Sequence, residues 1–482
     1  METMRRRSGT VGGCRGMKIG LLLAIAAAGH CGCVRPPSDR TADGRIIVDY
    51  WEKWTGFEGD AMQAVVDDFN RSQNRIFVRK LTVSQIDRKM MLATAGGNPP
   101  DVAGLWAFNV PVYAEKGALT PLNRYLEEAG ITAEDYIPVF WDLCSHEGFV
   151  WALPSTPATL ALHWNKKMFR DAGLDPERPP RSIAELDRMA EQITLVRVER
   201  AGKRVEVRFS ELTAEEKRTK KFDIVHLGFV PTEPGWWNPV WGYWFGARLW
   251  NGKDRITADS PQNIEAFRWF QSYPRKYGLE NLRRFGASFG NFASPQNPFL
   301  SEKVAMELQG VWMYNFIDKY APQLEWGAAP FPAAHTDRFP YVTIAECDVL
   351  VIPRGARHAK EAFEFIRYVN TRPAMEKLCM GQRKFSPLAR MSEDFIRNHP
   401  NPYIHVFVEM ARSPYVRTVP QTPLWMVLGD EMIAAADRIF SLIETPQQAL
   451  RTVQKRVQLR FDRERERWLK IRQRRIAEWR RL

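Results

Sequence analysis

Residues 45–83 read RIIVDYWEKWTGFEGDAMQAVVDDFNRSQNRIFVRKLTV, and the order of patterns in this stretch decides the fold class. Residues 45–50 are a short run rich in β-formers. Over residues 60–70, Ala61, Met62, Val65, Val66 and Phe69 recur at helical spacing. Residues 76–83 form a second strand candidate. Strand, helix and strand in succession suggest a parallel sheet, whose ligands sit beyond the carboxyl ends of the strands. The loop at residues 51–55 lies at such an end, so Trp54 is a candidate site residue, with core packing as the equal alternative.

Further along, GGNPPDV (96–102) ends a helix at its glycines and restarts as a strand, with LWAFN (105–109) at that strand's exit. The densest aromatic stretch is EPGWWNPVWGYWFGARLW (233–250), where Trp236, Trp237, Trp241, Trp244 and Trp250 fall with Tyr243 and Phe245. Gly235, Pro239, Gly242 and Gly246 interrupt it, which predicts aromatic plates held on turns and short helical pieces. Such plates suit sugar rings, which carry C–H groups on the face and hydroxyls round the rim. Core packing is the alternative for each ring taken singly. Burying the whole stretch is harder, because each indole N–H then needs a partner.

A chain of 482 residues is too long for one ordinary core and predicts two lobes. The net charge of +13 suggests nucleic acid until it is located. Residues 1–45 hold eight Lys/Arg against three Asp/Glu, and residues 451–482 hold thirteen against four, which leaves about −1 for the body between. A neutral body with basic ends argues against a nucleic-acid groove.

The first basic end is a leader. Met17-Lys18 precedes an apolar run over residues 19–28 and then GHCGC, the pattern of a secretory signal. The run is too short to span a bilayer. Met17 offers an alternative start to Met1. Cys33, with Gly32 before it, fits the lipidated residue of a bacterial lipoprotein precursor better than Cys31 does; cleavage with release is the alternative. No metal-ligand cluster of Cys and His stands at the usual spacing. Cys144, Cys347 and Cys379 leave room for one disulfide of open connectivity or for free thiols.

Several further pieces carry a resemblance: YAEKGALTPL (113–122), GFVWALP (148–154), LHWNKKMFRDAGL (162–174), PPRSIAEL (179–186), SEKVAM (301–306) with GVW (310–312), VIP (351–353) and KEAFEFI (360–366). Together with GGNPPDV, in this order over residues 46–455, they resemble the extracellular solute-binding proteins of ABC importers, in the carbohydrate-binding group that includes maltose-binding protein. The resemblance implies an α/β fold of the type II periplasmic-binding-protein class, a two-lobed clamp with a mixed sheet flanked by helices in each lobe. Hinge crossings are expected near residues 157–162, 343–348 and 386–391. Lobe I would comprise residues 46–158 and 346–390, lobe II residues 159–345 and 391–482, with 1–33 as leader and 34–45 as linker. The implied aromatic sugar contacts are Trp106, Trp236 or Trp237, Trp312 and Trp425; the implied polar contacts are Trp54–Thr55, Asn109 and Glu346. The partners implied are a small sugar and the transmembrane subunits of an ABC permease, with a monomer held at the membrane by its lipid, outside the cytoplasm, and no cofactor.

Residues 195–222 depart from the family pattern and read as a hairpin turning at Ala201-Gly202-Lys203, followed by a solvated charge run. The arginine-dense end past Arg451 is also longer than the resemblance leads one to expect. It reads as a solvated closing helix or as a face for anionic lipid. Three other readings stay open. A glycoside hydrolase needs two carboxylates flanking the bond; Glu52, Glu233 and Glu346 lie in aromatic loops, but no spacing pairs them, and no G-x-S-x-G turn or metal-binding helix motif occurs. The others are a lectin, and a binder of a glycerol phosphodiester, peptide or polyamine.

Overall fold

The structure, a computed structural model, describes residues 39–481; the leader with Cys31 and Cys33 falls outside the described residues. The opening pattern forms as the sequence predicts. Strand β1 (Ile46–Glu52) pairs in parallel with β2 (Ile76–Thr82), and helix α1 (Gly56–Ser72) between them buries Met62, Val65, Val66 and Phe69. Strand β3 (Val102–Trp106) extends the sheet in parallel on the other side of β1.

The element that builds the clamp is β4 (Ala152–Asn165), fourteen residues long and buried throughout. Residues 152–159 pair with β10 (Thr343–Val351), and residues 160–164 pair with β8 (Val304–Gly310). Apolar side chains change allegiance along it. Ala152, Leu153, Ala158 and Ala161 belong to a first hydrophobic core, while Leu160, Leu162 and Trp164 belong to a second. Strand β10 does the same in reverse, with Ile344 in the second core and Ala345, Cys347 and Val349 in the first. The Thr343 hydroxyl ties the two crossings together, donating to the Leu160 carbonyl at 2.9 Å and accepting from the Leu160 N–H at 3.1 Å.

The crossings join the strands of the two lobes into one curled sheet of eleven strands, nine of which form a continuous path. The order is β2-β1-β3-β10-β4-β8-β7-β5-β6, with β7 (Asp223–Phe229), β5 (Leu195–Arg200) and β6 (Lys203–Arg208) at the far edge. Strand β9 (Trp326–Ala329) adds to β4 and β11 (Val416–Arg417) to β10. The 195–222 insertion is thus a sheet extension, its hairpin turning at Ala201 and Gly202, both at positive φ.

Three further expectations change. The third passage between cores lies between Ala411 and Leu424, not at 386–391, because Phe385 and Leu388 are buried in the first core. Residues 391–482 do not all belong with the second core: Phe395, Ile404, Phe407, Trp468 and Trp479 pack in the first. The last two sit on the closing helix Pro446–Trp479, whose early residues Leu450, Val453 and Val457 pack in the second core. Cys144, Cys347 and Cys379 are free buried thiols, so the disulfide option falls.

Candidate functional site

Where β10 crosses between the cores, a cavity of about 400 Å³ opens. Its floor is built by Asp348. The pairing of β10 with β4 slips between Cys347 and Val349, and this bulge falls at Asp348. Its carboxylate accepts hydrogen bonds from the Trp54 indole N–H at 2.8 Å and the Thr156 hydroxyl at 3.0 Å. The Lys53 ammonium lies 3.0 Å away and the Lys384 ammonium 3.7 Å. Lys384 also reaches Glu58 at 2.9 Å. Burial pushes the Asp348 carboxyl up, but Lys53, Lys384 and the hydrogen bonds outweigh it and hold the group below its usual range. For Lys384 burial works to lower the pKa, and Glu58 and Asp348 overcome it, so the ammonium is held charged.

The walls are aromatic. On the first-core side Trp54 stands edge-on to Trp106 at 6.0 Å, and Trp106 stacks on Phe108 with 6° between the rings. Lys53 lies over the faces of Trp54 and Trp106 at 5.1 and 5.2 Å, which fixes both rings from behind. On the other side Trp312 lies 6.4 Å from both Trp236 and Trp237. Phe292 bridges Trp236 at 4.7 Å and Phe316 at 4.8 Å. Trp312 is anchored through its N–H to the Gln309 side chain at 3.0 Å. A Cβ at Gly310 would come within 2.3 Å of its ring, so glycine is what lets this indole lie flat on the strand end.

Of the residues singled out in the sequence, Trp54, Trp106, Trp236, Trp237, Trp312 and Glu346 line this one cavity. Thr55, Asn109 and Trp425 do not. Thr55 is exposed at the start of α1. Asn109 is buried and faces a separate groove of about 750 Å³ beside Met426 and Val427. Trp425 opens its helix, Trp425–Phe440, with its ring against Gly429 one turn on. The rest of the aromatic stretch is core: Trp241 and Trp244 are fully buried on a 3-10 helix, Asn238–Phe245. Their N–H groups find Asn238 and the Val342 carbonyl, and the Trp237 N–H finds the Leu308 carbonyl, so burial costs less than the sequence suggests. Sequence reasoning missed Lys53, Glu58, Phe108, Thr156, Phe316 and Lys384. A Trp-Glu-Lys-Trp run at a strand end was the signal available for Lys53; Lys384 carried none.

Glu346 and Glu233 both sit well above their ordinary range. Burial, and after it the charge of Asp348, pushes Glu346 up to about 7. Burial alone pushes Glu233 up to about 7. A raised carboxyl stabilises the fold fully below its unfolded value near 4.5, and that contribution is lost as pH climbs through 7. Asp348 runs the other way, contributing above 3.8 and losing its contribution as acid titrates it. Stability is therefore expected to peak near about pH 5 and to fall towards pH 8 by up to roughly 3 kcal/mol per raised group. Urea unfolding across that range measures it, and Glu346→Gln and Glu233→Gln should each flatten the decline.

Among the described residues one group brings three potential metal ligands within 4.8 Å: Glu115, His146 and Glu147. It lies outside the aromatic cavity, and Glu147 is already held by Arg472 at 2.6 Å and by the Trp468 N–H at 3.2 Å.

Residues 58–376 match the model of the family described as bacterial extracellular solute-binding protein. The maltotriose-binding protein of Pyrococcus abyssi is 19% identical over 404 residues, which cover 82% of this chain and 77% of that one. The sn-glycerol-3-phosphate-binding periplasmic protein UgpB of Pectobacterium atrosepticum matches over 146 residues only, 22% identical, covering 29% of this chain and 33% of the relative. Among solved structures, CpMnBP1 with mannotriose bound aligns with a TM-score of 0.71 at 25% identity, covering 85% of this chain and 99% of that one.

Proposed function

The chain belongs to the bacterial extracellular solute-binding protein family, with the type II periplasmic binding fold, and from that premise we propose that it captures a short oligosaccharide and delivers it to the membrane subunits of an ABC importer. The family is extracytoplasmic, and the relatives named above are binding proteins. The observation that carries the sugar reading is the cavity itself: indole faces from both sides close over a polar floor at the point where the two cores meet. Its volume of about 400 Å³ lies within the 300–1,000 Å³ usual for small-molecule sites. Covering about 40 Å² of apolar sugar face is worth roughly 1 kcal/mol per ring, while micromolar affinity needs about 8 kcal/mol. Hydrogen bonds from the floor must supply much of the remainder. Closure of the lobes about β4 and β10 would desolvate them. The lipid anchor at Cys33 and the monomeric state are part of the same proposal.

The short match to the glycerol-phosphate relative favours a second reading, a phosphate-bearing solute. The charge of the floor opposes it: Glu58, Glu346 and Asp348 line the cavity against Lys384 alone. The hydrolase reading weakens too, because, of Glu52, Glu233 and Glu346, only the last lines the cavity, and the other carboxylates there, Glu58 and Asp348, are taken by Lys53, Lys384, Trp54 and Thr156. Calorimetric titration of the chain from Arg40 onward with mannotriose, maltotriose and glycerol 3-phosphate tests the proposal. The expected result is micromolar binding of a trisaccharide, recovered intact, and none of the phosphate. Binding of glycerol 3-phosphate alone would overturn the sugar reading, and consumption of the sugar would overturn the binder reading.

A further inference from the structure

The charged groups that line the cavity are paired within the protein, with one exception. Asp348 is taken by Trp54, Thr156, Lys53 and Lys384, and Glu58 by Lys384. Glu346, two residues before Asp348 and lining the same cavity, accepts no hydrogen bond from any described residue.

The charges around it do not balance either. Lys53 and Glu52 come from the end of β1 and its loop, Glu58 from α1, Asp348 from β10 itself, and Lys384 from the turn after the helix Arg372–Gln382. That is three carboxylates against two ammonium groups before Glu346 is counted. A neutral hydroxyl could hydrogen-bond to Glu346 but would not compensate the charge of its ionised form. The walls also favour positive charge, because the faces of indole rings carry the negative part of the quadrupole. A carboxyl without a partner, in a cavity lined by tryptophans, suits a cation.

Resting on the carbohydrate reading above, we propose that the ligand bears a protonated amine, as an amino-sugar unit does, seated against Glu346 and the aromatic faces. Burial and Asp348, against a smaller opposing effect of Lys384, hold Glu346 near its midpoint at neutral pH, at about 7. An ammonium group beside it favours the ionised form, so binding expels a proton from Glu346.

The test is calorimetry at about pH 6.5, where the amines are protonated before they bind, with the β-1,4-linked glucosamine disaccharide, with cellobiose, which carries hydroxyls in place of the amines, and with spermidine. The proposal expects the glucosamine disaccharide to bind at least about tenfold more tightly than cellobiose. Paired buffers of different ionisation enthalpy should reveal net proton release for the amino sugar alone. Glu346→Gln, checked for folding by its thermal transition, should bring the two sugars to within about twofold of each other. Cellobiose binding as tightly as the amino sugar would overturn the proposal, as would an undiminished preference in Glu346→Gln. Should mannotriose bind while the amine confers no advantage, the amine falls and the sugar reading stands. Should spermidine bind and no saccharide do so, the sugar reading falls and this proposal with it.

Discussion

Asp348→Ala is expected to lower the free energy of unfolding at pH 7 by roughly 3–5 kcal/mol, the range seen when one partner of a buried ion pair is removed. The Lys53 and Lys384 side chains are each only 4% exposed, so the substitution strands two ammonium groups with little access to water. Glu52 at 3.6 Å and Glu58 at 2.9 Å would remain as their partners, which keeps the loss within that range. The Trp54 indole and the Thr156 hydroxyl lose their acceptor as well. Asp348→Asn keeps an acceptor without the charge and should cost clearly less. Urea unfolding followed by tryptophan fluorescence measures both. A loss below about 1 kcal/mol for Asp348→Ala would mean that the floor is not the buried charge network described.

Trp312→Ala carries the largest expected effect on binding. Its ring lies 6.4 Å from both Trp236 and Trp237, is pinned by Gln309 and is packed on Gly310. Removing it deletes one sugar-facing plate and frees the other two to move. A loss of about 10- to 100-fold in affinity is expected, or roughly 1.4–2.8 kcal/mol. Trp425→Ala is the informative companion. The family resemblance assigns Trp425 to the sugar, whereas the structure places it outside the cavity, so its removal is expected to change affinity by no more than about twofold. A loss matching that of Trp312→Ala would show that the lobes close further around the ligand. Titration of each variant with the sugar that binds the parent chain measures the difference.

The contrast between these two tryptophans shows what the sequence could convey. The strand–helix–strand opening was legible because β1, α1 and β2 each carry a local period that sequence displays directly. The crossing strands β4 and β10 were legible at two of three places. The third was not, because residues 412–423 form mostly irregular backbone with no pattern to read. Trp236 and Trp237 were set apart from Trp241 and Trp244 by the resemblance and not by the residues themselves, since all four stand in one aromatic run; burying Trp244 depends on the Val342 carbonyl, far along the chain. Lys384 joins Asp348 across a sequence gap of 36 residues, and Trp54 joins it across 294. No local pattern encodes such pairs. The resemblance implied an aromatic sugar site, and long-range packing decides which of the implied residues meet in one cavity.

The most direct test of the central claim, that one solute is held between the lobes on this aromatic cavity, is a crystal structure of the chain grown with mannotriose. The account predicts a sugar ring against Trp312 and another against Trp106, with hydroxyls or an amine at Glu346 and the floor around Asp348. Well-defined sugar elsewhere, with the cavity filled only by solvent, would contradict it.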